Sequence, residues 1–192
     1  MRRLTALFLF LLLALSPIAA TAEDDAVAVM QKLMNLAQTA LDSDEDLLYE
    51  KYEDAYYYEL VFESSDGMMG DLYAFVDIYS SGILIETCYE QPIPQDRFDE
   101  VLRFINLVNG DLLGGKYVVD PESNIIYYEM HLFTDFLNMD ALGHREIDMV
   151  LDFLWSNIAE IDYDAMYFSE IVNGEKAQNA YAMYIADLDD GH

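Results

Sequence analysis

Three runs between Tyr56 and Glu90 constrain the fold more than any other part of the chain: YYYELVFES, DLYAFVDIYS and GILIETCYE. Each alternates with period two. One set of positions is greasy: Tyr58, Leu60 and Phe62, then Leu72, Ala74, Val76 and Ile78, then Ile83 and Ile85. The other set mixes rings and acids: Tyr57, Glu59 and Glu63, then Tyr73, Phe75, Asp77 and Tyr79, then Glu86 and Glu90. Successive side chains of a strand point to opposite faces, so this pattern specifies an antiparallel sheet covered on one face only. SDGMMG and SSG between the runs supply turn chemistry.

The segments around these strands read as helices. Val29, Met30, Leu33, Met34, Leu36, Ala37 and Leu41 recur at helical spacing over Ala26 to Leu41, with Asp24 or Asp25 placed to cap. After Pro92 and Pro94, Asp96 is placed to cap a second helix with the stripe Phe98, Val101, Leu102, Ile105 and Val108, ending near Gly110. KYVVD and IIYYEMHLF flank the turn DPESN, with Ile126, Tyr128, Met130 and Leu132 facing the core. A third helix starts near His144 or Arg145 with Ile147, Val150, Leu151, Leu154, Ile158 and Ile161. A further helical piece is expected over Asp164 to Val172, stopping at Asn173-Gly174, and the tail from Glu175 begins helical and frays through DLDDGH. The expected class is α+β, an antiparallel sheet with helices on one face in the order α-β-β-β-α-β-β-α. The expected divisions are a leader at 1–22, an N-terminal helix with acidic linker at 23–56, the α+β domain at 57–174 and a tail at 175–192.

The leader expectation comes from MRRLTALFLFLLLALSPIAATA: basic Arg2 and Arg3, an apolar core from Leu4 to Leu15, and small Ala20-Thr21-Ala22 before EDD. That is secretory signal-peptide grammar and implies export by the general route to a periplasmic or secreted location, with no membrane insertion after cleavage. A single cysteine, Cys88, allows no internal disulfide and reads as a small apolar strand residue. The chain holds 37 acidic and 9 basic residues, for a net charge of −28. Phosphate recognition needs clustered cations, so nucleic acid is excluded as a partner class, and cationic partners fit best.

The element order, the I-N-L-V-N helix end at Ile105 to Asn109 and the hairpin GKYVVDPESNIIYY together resemble the YbjN family, bacterial sensory transduction regulators. The resemblance covers Tyr57 to Val172. It implies a type III secretion chaperone-like fold, a regulatory or chaperone-like binding role, no shared catalytic centre, and dimerisation of the kind secretion chaperones show. Asn106 and Asn109, three apart on one helix face, are expected to serve the helix end, Asn109 as its C-terminal cap.

Candidate chemistry is sparse. Asp42, Asp44, Asp46, Glu50 and Glu53 fall on positions 1, 3, 5, 9 and 12 of a calcium loop, but Leu47 stands where the turn needs glycine, so they form a weak metal candidate and no metal or other cofactor is assigned. His131, His144 and His192 belong to no nucleophile or zinc motif, and Glu86 and Glu90 beside Cys88 disfavour a thiolate. No catalytic residue is selected. The best candidate site is the ring-bearing sheet face, Tyr57, Tyr73, Phe75, Tyr79 and Tyr127 among Glu59, Asp77, Glu86 and Glu129, suited to docking a polypeptide. The expectation is therefore an exported, non-enzymatic YbjN-like binding module, with a calcium- or ligand-responsive envelope protein and a carboxylate-based hydrolase as alternatives.

Overall fold

The computed structural model describes residues 24–189, so the leader expected at 1–22 lies outside the described residues. Helix α1 covers residues 24–43, so Asp24 and Asp25 lie within it rather than at its cap. Six strands follow: β1 (Tyr49–Tyr52), β2 (Tyr57–Phe62), β3 (Leu72–Tyr79), β4 (Gly82–Tyr89), β5 (Lys116–Val119) and β6 (Ile126–Phe133). Helices α2 (Phe98–Val108), α3 (His144–Val172) and α4 (Ala177–Asp189) complete the chain. The strands form one antiparallel sheet in the order β1-β2-β3-β4-β6-β5. The class is α+β, and the sequence-derived order is recovered with two additions, β1 and α4.

The alternation sorts the faces as expected. Tyr58, Leu60, Leu72, Ala74, Val76, Ile78, Ile83, Ile85, Ile126, Tyr128 and Leu132 are buried under the helices. Buried tyrosines need a partner for the hydroxyl, and here the hydroxyls fasten helices to the sheet. Tyr58 donates to the Met34 carbonyl of α1 at 2.8 Å, and Tyr89 to the Ile161 carbonyl of α3 at 2.6 Å. The amide of Asn157 on α3 donates to the carbonyls of Ile85 (3.1 Å) and Tyr128 (3.0 Å), tying that helix to two adjacent strands. Phe104, fully buried, meets the edges of Phe168 and Tyr184 at 5.2 and 6.4 Å between ring centres.

Turns and caps depart from expectation in instructive ways. Arg97, not Asp96, occupies the α2 N-cap, and no side chain caps there. Its guanidinium instead donates to the Ile171 carbonyl at 2.6 Å, which also accepts the Gly174 N–H, and to the Glu175 carbonyl, tying α2 to the end of α3. Glu100 of α2 accepts the Ala177 amide at 2.9 Å and so serves the start of α4. Asn109 does occupy the α2 C-cap as expected, its N–H donating to the Ile105 carbonyl at 2.9 Å, while its side-chain amide brackets Tyr117 on β5, donating to the carbonyl at 2.9 Å and accepting the N–H at 2.7 Å. Asn106 is exposed. The break expected near Asp164 is absent, because α3 runs unbroken for 29 residues through a stretch free of Gly and Pro. Gly82 takes φ 155° where β6 crosses so closely that a Cβ would lie 2.2 Å from the Leu132 carbonyl. Among the described residues no helix is long and apolar enough to cross a membrane.

Candidate functional site

With every helix that packs on the sheet lying over one face, the other face stays open, and strand register decides what it presents. One row across it reads Glu59, Phe75, Glu86, Glu129 and Lys116. The next reads Tyr52, Tyr57, Asp77, Leu84 and His131. A third reads Val61, Tyr73, Cys88, Tyr127 and Val118, and the hairpin end adds Tyr79 and Phe133. The five rings expected to share a face, Tyr57, Tyr73, Phe75, Tyr79 and Tyr127, do so.

These rings frame a group of acids. Tyr52 stacks on Tyr57 at 4.4 Å and Tyr57 meets the edge of Phe75 at 6.3 Å, forming one side. His131 stacks on Phe133 at 4.5 Å with Tyr79 6.5 Å from His131, forming another. Tyr73 and Tyr127 flank Cys88 across the neighbouring row and leave it only 5 % exposed. Inside this frame stand Asp77, Glu86 and Glu129, one from each of three adjacent strands.

Three carboxyls this close cannot all ionise freely. Burial is the main cause that raises Glu86, to about 7, and the charges of Asp77 and Glu129 and hydrogen bonds to both add to it. Glu86 is thus held in its protonated form to a higher pH than an ordinary carboxyl. Burial also raises Asp77. Among the described residues the cation paired with the group is Lys116, whose Nζ lies 2.7 Å from Glu129 at the far edge. Cys88 is pushed up to about 12 by burial and by the nearby charges of Glu86 and Glu59, so its thiol stays neutral. His131 Nε2, buried on this face, has no hydrogen-bond partner among the described residues.

Comparisons with protein-family models, with curated proteins and with solved structures found no match.

The acids of the calcium-like string are scattered instead of gathered. Asp42 accepts the Tyr49 hydroxyl at 2.5 Å. Asp44 accepts the Trp155 indole N–H at 3.1 Å and the Asp46 amide at 3.1 Å. Glu50 accepts the Tyr52 hydroxyl at 2.8 Å, and Glu53 pairs with Lys51 at 2.7 Å. They spread over a helix end, a turn, β1 and a 3-10 turn, and among the described residues no group of three or more His, Cys, Asp or Glu could hold a metal ion. His144 starts α3, well separated in sequence from the open-face strands.

Sequence reasoning placed Glu86 and Glu129 on the same face but could not make them neighbours, because that requires β6 to lie beside β4. Tyr52 was missed with β1; Leu84, His131 and Phe133 share a face with Glu86 and Glu129 by alternation, and only their nearness to the acids depends on β6 lying beside β4. The alternation of IIYYEMHLF was the signal available for the β6 residues.

Proposed function

We propose that the chain is an exported, non-enzymatic docking module, YbjN-like in plan, whose open sheet face receives a polypeptide segment through a Lys or Arg side chain. The observation that carries this reading is the acid trio inside its aromatic frame. An ammonium or guanidinium placed there gains charge-assisted hydrogen bonds from the carboxyls and faces the rings' π clouds. It also offsets the part of the Glu86 shift that the charges of Asp77 and Glu129 add to burial. Tyrosines give contact area at low entropic cost, as protein-binding surfaces require.

The face continues toward the sheet edge, where Leu48, Glu50, Glu59 and Val61 line a shallow groove of about 370 Å3. Val61 is 52 % exposed and Leu48 85 %, which offers apolar contact next to the acids. A basic partner suits the face better than a second copy, because a two-fold contact through it would set one acid trio against another. The support for the YbjN plan is the element order and the Ile105–Asn109 helix end.

Fluorescence anisotropy with a labelled peptide alternating Lys and Leu tests the reading. Tyr73→Ser and Phe75→Ser are each expected to weaken binding about tenfold or more while the far-ultraviolet circular dichroism stays unchanged. Equal affinity for both variants and the parent would count against it. Turnover of an ester or glycoside abolished by Glu86→Gln would replace it with the hydrolase reading.

A further inference from the structure

A second groove lies on the helical side of the molecule. Ser156, Ala159, Glu160 and Tyr163 follow one another along a single face of α3, and Tyr184 and Leu188 face them from α4 across a groove of about 430 Å3. That volume falls within the range of about 300–1,000 Å3 that small-molecule sites occupy. Rings and an aliphatic side chain make most of its wall, and Glu160 is its charged group.

The acid is in an unusual position for a groove wall. Glu160 is half-buried in the wall, and that burial raises its carboxyl above the ordinary value. One turn onward Asp164 is fully buried, with Oδ2 accepting the Tyr117 hydroxyl at 2.7 Å and Oδ1 lacking any partner among the described residues. Burial raises Tyr184, and the charges of Asp164 and Glu160 raise it further, which places the three groups in one local field. The cations paired with acids among the described residues, Lys51, Arg103, Lys116 and Arg145, are engaged elsewhere.

We infer that the groove between α3 and α4 binds a small organic ammonium ion, its charged head on Glu160 and its apolar body between Tyr163, Tyr184 and Leu188. The chemistry selects this class. An anion meets two acids and a chain of net charge −28. A hard metal ion needs several oxygen ligands, whereas a single carboxylate lines the groove. A neutral apolar molecule fits the walls but leaves a desolvated carboxylate without a counter-charge. An ammonium with an apolar body satisfies both parts, and aromatic walls add attraction for its charge. Asp164 acts behind the site, strengthening the negative field without touching the ligand.

Calorimetric titration of the purified protein with phenethylammonium chloride at pH 8, and with 3-phenyl-1-propanol as the neutral counterpart, tests this. Saturable binding in the millimolar range or tighter is expected for the ammonium, with the alcohol about tenfold weaker or worse. Glu160→Gln is expected to lower the ammonium affinity about tenfold while the fold persists, because the change removes a desolvated charge. Glu122→Gln, the loss of one charge in the exposed turn between β5 and β6, should leave this affinity as it is, which separates a local contact from a general charge effect. No saturable binding up to about 50 mM, equal affinity for ammonium and alcohol, or an unchanged Glu160→Gln variant would each overturn the inference. As a check independent of Glu160, Tyr163→Ser, altering a partly exposed ring, is expected to weaken the ammonium as well, and an unaltered affinity would overturn the placement.

Discussion

Glu86→Gln should make the protein more stable, by a margin that grows as the pH rises from about 4.5 to 7 and is complete above neutral pH. The folded chain holds the Glu86 proton up to about 7, against an ordinary value of 4.5 for the side chain. Between those two values the folded state binds a proton that the unfolded state has released. Stability is therefore greatest below the ordinary value and falls as the pH rises through about 7. Each unit of displacement corresponds to about 1.4 kcal/mol, which sets an upper bound of about 3.5 kcal/mol. The face is open to water, and screening brings the expected contribution to about 1–2 kcal/mol. Glutamine keeps the length and the hydrogen-bonding reach toward Asp77 and Glu129 but has no charge to lose. Urea unfolding at pH 8 should thus show Glu86→Gln more stable than the parent by about 1–2 kcal/mol, or about 3–6 °C in melting temperature. At pH 5 the difference should shrink to about 0.5 kcal/mol or less. Asp164, raised to about 7 chiefly by burial, adds a slope of the same sign, but it is common to both proteins and cancels in the comparison. A variant less stable than the parent at pH 8, or a gain equal at both pH values, would refute the reasoning.

Other outcomes follow from single contacts. Asn109→Ala leaves the Tyr117 N–H and carbonyl without their bracket and is expected to lower stability by about 1–3 kcal/mol, against about 0.5 kcal/mol or less for the exposed Asn106→Ala, both read from urea midpoints. Arg97→Ala removes donors from two carbonyls beyond α2 and should lower stability by about 1.5–3 kcal/mol, with amide exchange accelerated around residues 171–175. Phe104→Ala empties the middle of the aromatic core and should cost about 3–5 kcal/mol in the same unfolding assay. Calcium at millimolar concentration should leave the melting temperature of the parent and of Asp44→Asn equally unchanged, because the acids of residues 42–53 are dispersed and bonded elsewhere.

What the sequence disclosed depended on whether a feature was periodic or positional. Period two over eight residues in β3 and β4 and in the longer hairpin strand was enough to assign both faces of the sheet. Four residues of β1, YEKY, were too few, and Glu50 and Lys51 are the charged side chains an edge strand tolerates. The extent of α3 was underestimated because Asp162 and Asp164 look like an interruption. In the structure Asp162 accepts the Ser64 hydroxyl at 2.9 Å and the Ser65 amide at 2.7 Å from the β2–β3 loop, and Asp164 accepts Tyr117, so both belong inside a continuous helix. Phe104 escaped the expected stripe of α2 because α4, which packs on that side of the helix, was read as a fraying tail. The rings of the candidate site were legible from alternation alone. Their meaning was not, because the acid trio exists only once β6 inserts between β4 and β5, and strand order is not written in any local pattern.

The central claim is that a basic segment docks on the open sheet face by satisfying its carboxyl trio. The most direct measurement is a nuclear magnetic resonance titration of the labelled protein with the Lys- and Leu-containing peptide. The account predicts saturable shifts at Tyr73, Phe75, Glu86 and His131, with Tyr163 and Tyr184 unmoved and the response lost in Phe75→Ser. Shifts confined to the helical side, or drifting without saturation across the whole acidic surface, would contradict it.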